Sequence, residues 1–296
     1  MPGENMPAAE VDVDERLVRR LLAAQHPDLA GRSLVLFANG WDNVMYRLGA
    51  DLVVRLPRRQ VAAVLVDHEQ RWLPILAPRL PLPIPAPVRI GRPGDGYPWS
   101  WSVIPWLPGR IAAETGVADP ATEARRLGAF VAALHQPAPA DAPVNPVRGG
   151  PLADRAFAVD ERLSRLASVV DTEAVARTWA RCVATRPWSG PPLWLHGDLH
   201  TANVLVDSGA ISAVIDFGDI TAGDPATDLA IAWMLFGGTD RDGFRATCGT
   251  NDGDTWDRAR GWALHLGLAY LAHSADNPLM ATVGGGVIRA VLDDEA

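Results

Sequence analysis

The sequence predicts an α+β fold in two parts, a small N-terminal half built on an antiparallel sheet and a larger, mainly helical C-terminal half. Three observations predict it. Residues 33–38, 44–48 and 51–56 are short β-prone runs separated by Asn39-Gly40-Trp41-Asp42 and by Gly49-Ala50, close enough in sequence to read as an antiparallel meander. Beyond about residue 110, apolar residues recur at helical spacing instead. Between the two regimes lies Pro105-Trp106-Leu107-Pro108-Gly109, a proline-bearing linker (105–109) expected to divide residues 1–104 from 110–296.

The elements follow in order. Val13, Leu17, Val18, Leu21 and Leu22 make one helical stripe over 12–25. After the three strands comes a helix over 60–76, stopped by the proline-rich stretch 78–87, where repeated prolines favour extended chain. Two further strands are predicted at 88–90 and 101–104. In the second half, Leu127, Phe130, Val131 and Leu134 mark an amphipathic helix over 121–135, and a broken helical stretch covers 152–185. Residues 136–151, rich in Pro, Ala and Gly, read as a loop. Two short apolar strands are expected at 204–206 and 213–215, and the chain from Pro225 on reads as helical.

Composition narrows the function. With 48% hydrophobic and 21% charged residues in a chain of 296, the sequence has the make-up of a folded enzyme with a sizeable core. A formal charge of -8 provides no basic footprint for nucleic acid or an anionic membrane. Cys182 and Cys248 are distant and lack CxxC spacing, which fits a reducing compartment. The acidic start, with Glu10, Asp12, Asp14 and Glu15, does not have the pattern of a signal peptide, and no apolar run approaches a membrane span. These features predict a cytoplasmic monomer acting on a small molecule.

The chemistry is concentrated in His196-Gly197-Asp198-Leu199-His200-Thr201-Ala202-Asn203, which leads into an apolar strand, and in Ile215-Asp216-Phe217-Gly218-Asp219, which follows the next one. A hairpin of that length returns Asp216 to the neighbourhood of Asn203. Two carboxylates and an amide oxygen are then gathered, all hard donors suited to Mg²⁺. Phosphoryl transfer needs a metal on the phosphate oxygens and a carboxylate to take the proton of the attacking hydroxyl. His196 and His200 are four apart, but a zinc pair of the HExxH kind needs a helix and an intervening Glu, and neither is present.

These residues resemble the catalytic and metal loops of the protein-kinase-like superfamily, most of all its branch of aminoglycoside and macrolide phosphotransferases, which carries His-Gly-Asp where protein kinases carry His-Arg-Asp. The resemblance implies a two-lobed kinase-like fold, with Asp198 as catalytic base, Asn203 and Asp216 as Mg²⁺ ligands and His196 as a structural member of the loop. It implies that Asp228, in Gly223-Asp224-Pro225-Ala226-Thr227-Asp228, holds the loop backbone; an acidic residue favoured by a helix start is the other reading, and both can hold. Asp224 or Thr227 is expected to cap that helix.

The N-terminal half is then expected to hold ATP or GTP. The first loop, Asn39-Gly40-Trp41-Asp42-Asn43, has a single glycine where protein kinases are glycine-rich, and Asn43 is assigned to the nucleotide there. At the position of the phosphate-binding Lys stands Arg55, with Glu69 as its expected partner. Arg58 and Arg59 are phosphate neighbours or solvated loop residues. By the same resemblance Ile104, Trp106 and Leu107 flank the purine, and because Pro105 has no N–H the donor is Trp106 or Leu107.

The acceptor is expected to be a hydroxyl of an antibiotic or similar natural product, whose phosphorylation would confer resistance. A polycationic aminoglycoside would call on Asp240, Asp242, Asp252, Asp254 and Asp257. A bulky macrolide-like acceptor would want the apolar wall offered by Trp233, Met234, Phe236, Trp262, Leu264, Leu266, Leu268, Tyr270 and Leu271. Arg258-Ala259-Arg260-Gly261-Trp262-Ala263-Leu264 resembles tails of the macrolide group and favours the second. A metabolic small-molecule kinase, of choline, sugar or homoserine type, is the alternative.

Overall fold

Asp14 opens the first helix: its carboxylate accepts the Leu17 N–H at 2.7 Å, satisfying one of the amides that a helix start leaves unpaired. The helix, α1 (Glu15–Gln25), then buries Leu17, Val18, Leu21 and Leu22 on one face. The computed structural model of the protein describes residues 7–250 and 252–294. The chain divides into two units. One runs to Arg79, continues over Pro83–Leu107 and takes in Asp216–Gly218; the other holds Leu80–Leu82, Pro108–Ile215 and the chain from Asp219 on.

The first unit is built on one sheet of β1 (Leu34–Asn39), β2 (Asn43–Leu48), β3 (Leu52–Pro57), β4 (Arg89–Gly91) and β5 (Trp101–Pro105), in the order β1-β2-β3-β5-β4 and antiparallel throughout. Strand alternation sorts the residues of the central strand. Val54 and Leu56 join Val44, Tyr46, Leu48, Trp101 and Val103 in a core closed by α1. Arg55 points to the opposite face, where α2 (Gln60–Leu76) presents Glu69. With both faces covered, Val53 through Pro57 are all buried.

The second unit is mainly helical: α3 (Ala112–Thr115), α4 (Pro120–Leu134), α5 (Ala156–Arg165), α6 (Thr172–Ala184), α7 (Ala226–Leu229), α8 (Ala232–Leu235), α9 (Gly238–Thr247), α10 (Gly253–His273) and α11 (Pro278–Asp293). The long α10 is its axis, packed by α5, α6, α7 and α11. The broken stretch 152–185 resolves into a short 3-10 turn, α5 and α6, with Asp171 capping α6 through the Ala174 N–H at 3.0 Å.

Two small sheets carry the loops of interest. In one, β6 (Arg110–Ile111) pairs with β8 (Val204–Asp207), which pairs with β9 (Ala210–Val214). Here the expectation of a strand at 213–215 is corrected. Ser208 and Gly209 both take positive φ (52° and 84°) in a two-residue turn, so the second strand starts at Ala210, and a bulge at Ser212 absorbs the offset. The second sheet, β7 (Leu193–Leu195) with β10 (Thr221–Gly223), was not anticipated, since three-residue strands carry too little periodicity to be seen.

Asp224, just after β10, anchors α10. Arg258 donates to it twice, from Nε at 2.7 Å and Nη2 at 3.2 Å, and both side chains are buried. Asp224 also accepts the Ala226 N–H at 3.0 Å from in front of α7; the cap residue itself is Pro225, so neither Asp224 nor Thr227 stands at the cap position. Replacing Arg258 with Ala leaves a buried carboxylate with its cation gone, and urea unfolding at neutral pH should show a loss of about 3–5 kcal/mol.

Candidate active site

Asp198 lies on the loop between β7 and β8, and the shape of that loop is dictated at Gly197. Gly197 has φ 86°, and a Cβ there would sit 2.1 Å from the Asp219 carbonyl oxygen. Only glycine fits both demands, which gives a physical reason for His-Gly-Asp in this chain. The loop backbone is held by Asp228, which is 0% exposed. Its Oδ2 accepts the His196 N–H at 2.8 Å and its Oδ1 the Gly197 N–H at 2.9 Å, while His135 Nε2 lies 3.2 Å from Oδ2. Three polar contacts thus converge on one buried carboxylate.

His196 completes the brace. Its Nε2 bonds the Ile215 carbonyl at 2.9 Å and its Nδ1 accepts the Asp198 N–H at 3.2 Å. That pairing assigns the proton to Nε2. Both ring nitrogens are therefore engaged within the fold. His200 is likewise engaged, with Nδ1 accepting the Ala202 N–H at 3.1 Å and Nε2 lying 3.3 Å from Asp198 Oδ2.

Asn203 donates from Nδ2 to the Asp198 carbonyl at 2.9 Å, which leaves Oδ1 as its atom for a cation. The hairpin that follows closes where the Ile215 N–H meets the Asn203 carbonyl at 2.9 Å, one residue before Asp216. Asp216 itself takes φ 62°, an uncommon backbone for a residue with a side chain and one that stores strain, of order 1 kcal/mol. Its carboxylate is 59% exposed.

In the first unit Asp216 meets Arg55, with Nη2 at 3.6 Å from Oδ1. Arg55 Nη1 donates to both oxygens of Glu69, at 2.6 and 2.7 Å. With the Asn43 amide turned so that its oxygen faces Arg55, Oδ1 accepts from Nη2 at 3.1 Å and from Nε at 3.2 Å. Burial works to lower the Arg55 pKa, and the Glu69 and Asp216 carboxylates more than reverse it. So Arg55, Glu69, Asn43 and Asp216 form one network, in which the guanidinium fork bonds Glu69 and Asn43 and faces the Asp216 charge, where a single ammonium has no planar fork to match.

Three open readings on this unit are narrowed. Arg58 is buried, not solvated, and its Nη1 bonds Asn39 Oδ1 at 3.1 Å and the Gly40 carbonyl at 3.0 Å. Arg59 pairs with Asp42, so both arginines brace the 39–43 loop. The Trp106 N–H donates to the Asp51 carbonyl at 2.8 Å, which leaves Leu107 as the N–H of the proposed pair. The Trp106 ring packs edge-on to Phe37 and under the Arg47 guanidinium, and Ile104 pairs with Val53 in the sheet.

Sequence reasoning passed over Arg148 and His265, and placed Tyr270 only on an apolar acceptor wall. Arg148, in the loop read as featureless, places Nη2 3.0 Å from Asp198 Oδ1. Burial raises the Asp198 pKa, but the hydrogen bond and charge of His200, then Arg148 and His196, outweigh it and hold the carboxyl well below its ordinary range. Tyr270 stands edge-on to His200, with ring centroids 5.4 Å apart, and burial pushes its hydroxyl well above the usual value, so it stays protonated. Spacing gives no sign of any of these, because Arg148 reaches Asp198 across fifty positions of sequence.

The candidate acceptor residues are also sorted. Trp233, Phe236, Trp256, Trp262, Leu264, Leu266 and Leu268 are buried core, and Arg258 clamps Asp224, so the 258–264 tail is structural. Asp252 caps α10 through the Thr255 N–H, Asp254 pairs with Arg186 and Asp257 with Arg260. Asp252 also faces Arg186, and Asp242 and Asp257 line one cavity in which Arg241, Arg245 and Arg260 also stand, so these acids meet arginines.

A model of the phosphotransferase enzyme family matches residues 33–262. Among solved structures, the GDP complex of wild-type aminoglycoside 2'-phosphotransferase-IIIa is similar with a TM-score of 0.70 and 20% identity, over 95% of this chain and 100% of that one. The GDP and kanamycin complex of APH(2")-IIia gives 0.67 and 22%, over 94% and 98%. The apoenzyme of macrolide 2'-phosphotransferase MphH from Brachybacterium faecium gives 0.60 and 24%, over 93% and 98%. At such identities the likeness is one of fold, the kinase-like α+β fold expected from the sequence.

Two measurements test this site. Asp228→Asn turns one acceptor into a donor facing a backbone N–H, and urea unfolding should show a loss of about 2–3 kcal/mol. Burial and the nearby Arg162, Arg148 and Arg155 push His265 down to about 3, while Arg162 Nη1 donates to its Nδ1 at 3.1 Å. Unfolded, His265 takes up a proton below its ordinary 6.5; folded, it does not until about 3, so its contribution is full above 6.5 and is lost as pH falls. From pH 7 to 5 the loss assigned to it is about 2 kcal/mol, and His265→Asn should remove that part of the pH dependence in urea titrations.

Proposed function

The chain belongs to the phosphotransferase enzyme family, and from that premise we propose that it is a Mg²⁺-dependent O-phosphotransferase moving the γ-phosphoryl group of ATP or GTP to a hydroxyl of an antibiotic or similar natural product. The observation that carries this reading is the His196–Asn203 loop. Gly197 and Asp228 fix its backbone, Asp198 is presented on it as a carboxylate, and its hairpin closes one residue before Asp216.

The roles follow from the donors. Asp198 accepts the proton of the acceptor hydroxyl as that oxygen attacks the γ-phosphorus. The bond from phosphorus to the β–γ bridging oxygen breaks, and the leaving electron pair departs on the nucleoside diphosphate. A carboxyl held well below its usual range is ionised at neutral pH and ready for this. Asn203 Oδ1 and the Asp216 carboxylate are hard oxygen donors that suit Mg²⁺, which neutralises phosphate charge when bound. Among the described residues no group of three His, Cys, Asp or Glu forms a cage, so the ion would complete its shell with waters and phosphate oxygens. Arg55 and Glu69, with Asn43, set the nucleotide side. Ile104, Trp106 and Leu107 flank the base, with the Leu107 N–H as donor.

The acceptor favoured is bulky, partly apolar and macrolide-like, and its phosphorylation would confer resistance. Against a polycationic aminoglycoside stands the engagement of the acidic residues by helix caps and by arginines. In favour of an apolar partner is a cavity of about 270 Å³ in the second unit, lined by Leu152, Val183, Pro187 and Trp188, with the paired Asp224 and Arg258 also in its wall.

The test is nucleoside diphosphate release with Mg²⁺, ATP or GTP and a panel of macrolides and aminoglycosides. Asp198→Ala should cut turnover about 10²–10⁴-fold while nucleotide binding by calorimetry persists. Near-normal turnover in that variant would remove Asp198 as base.

A further inference from the structure

The chain's 27 basic residues are all arginines, and no lysine stands anywhere in it. The phosphate-binding lysine that the resemblance calls for therefore has no stand-in elsewhere, and its place falls to Arg55. A guanidinium carries five N–H donors in a fixed planar fork. Here the fork is directed at side chains of the first unit itself. Nη1 donates to Glu69 Oε1 and Oε2 at 2.6 and 2.7 Å. With the Asn43 amide turned toward it, Nε and one N–H of Nη2 donate to Asn43 Oδ1 at 3.2 and 3.1 Å. The remaining N–H of Nη2 faces Asp216 Oδ1 at 3.6 Å.

The partners of the fork are themselves fixed. Gln70, next to Glu69 on α2, bonds the Trp101 carbonyl at 2.8 Å and Ser102 Oγ at 3.1 Å, which ties that turn of α2 to β5. Ser102 is in turn the register partner of Arg55. Asn43 opens β2, and its carbonyl accepts the Gly40 N–H at 2.9 Å to close the 39–43 loop. Arg58 and Arg59 bond the same loop, at Asn39, Gly40 and Asp42. Arg55 and Glu69 are both buried, so drawing the fork away toward a phosphate would leave a buried carboxylate without its cation.

Asp216 differs from these partners. Its carboxylate is exposed, on a backbone at φ 62° that a residue with a side chain adopts at a cost, so its aim depends on what it faces. It faces Arg55. The Arg55–Glu69 pair is neutral as a whole, and adds little net charge to oppose a triphosphate.

We propose that Arg55 is a positioning residue for Asp216 and not a phosphate ligand, so that this chain holds a nucleoside triphosphate chiefly through the Mg²⁺ bound at Asp216. This rests on the phosphotransferase reading above and assigns, within it, which charge meets the phosphates. Asp216 holds the ion that neutralises them, and Arg55 aims Asp216.

Calorimetry on the full chain with non-hydrolysable analogues of ATP and of GTP, in EDTA and in saturating Mg²⁺, separates the two roles. In the unaltered protein Mg²⁺ should tighten binding by about tenfold or more. The paired variant Arg55→Met with Glu69→Gln removes both buried charges together, which keeps the net charge and leaves neither unpaired. Its affinity in EDTA should stay within about twofold of the unaltered protein, while the gain from Mg²⁺ falls to about twofold or less. Electron paramagnetic resonance of Mn²⁺ with the same analogues should show the metal held more weakly by the same factor. A merely structural defect would lower the affinity in EDTA as well. Asn43→Ala disturbs no buried charge and releases two N–H groups of the fork. It should raise the affinity in EDTA several-fold, and it carries the test if the paired variant does not fold.

A larger loss of affinity in EDTA in the paired variant makes Arg55 a phosphate ligand and overturns the inference, as does Asn43→Ala without a rise. A gain from Mg²⁺ that the paired variant leaves intact also overturns it. So does an unaltered protein that binds the analogues equally with and without Mg²⁺. An unaltered protein that binds neither analogue under either condition would remove the phosphotransferase reading itself, and this inference with it.

Discussion

The His196–Asn203 loop depends on one buried charge. Asp228 has no contact with solvent, and its two oxygens take up the His196 and Gly197 amides, with His135 at the side. A carboxylate in that position is expensive to desolvate and is stable only because each oxygen is bonded. Once the two amides are fixed, Gly197 must turn through positive φ, and Asp198 is presented beyond that turn. His196 extends the constraint to Ile215, the last residue before Asp216. The chemistry proposed for Asp198 and Asp216 is therefore a consequence of where Asp228 sits, although Asp228 itself touches no reactant.

The first unit solves a different problem with a different cation. A lysine at position 55 would offer one ammonium; Arg55 offers a planar fork that bonds Glu69 and Asn43 and faces the Asp216 carboxylate at 3.6 Å. Much of its donor capacity is thereby committed within the protein. Its principal effect in this state is to aim carboxylates, and the strained backbone of Asp216 is held in part by that network.

What was legible in the sequence follows physical range. Period-2 and period-3.6 patterns are local, so the sheet of the first unit and the helix Gln60–Leu76 could be read directly. The Asp198, Asn203 and Asp216 set could be proposed from the sequence because its spacing is short and its residue types suit oxygen-donor chemistry. Arg148 was not, since its loop has no periodicity and its meaning comes from bonds to Asp198, Thr221 and Thr227 far along the chain. The 258–264 tail misled for the converse reason: an Arg and a Trp that resemble a ligand wall are a buried clamp on Asp224 and a core side chain. Composition does not distinguish an aromatic facing a ligand from one facing a helix. The Trp106 amide shows the same limit at the scale of one bond, because only the fold reveals that Asp51 already occupies it.

The central claim is that Asn203 and Asp216 hold the metal of a nucleoside triphosphate while Asp198 stays free to take a proton. A crystal structure with magnesium and a non-hydrolysable triphosphate tests it most directly. The account predicts one ion bonded to Asn203 Oδ1, an Asp216 carboxylate oxygen and phosphate oxygens, with the Asp198 carboxylate outside its shell. An ion bonded to Asp198, or a triphosphate bound with neither Asn203 nor Asp216 on its metal, would contradict it.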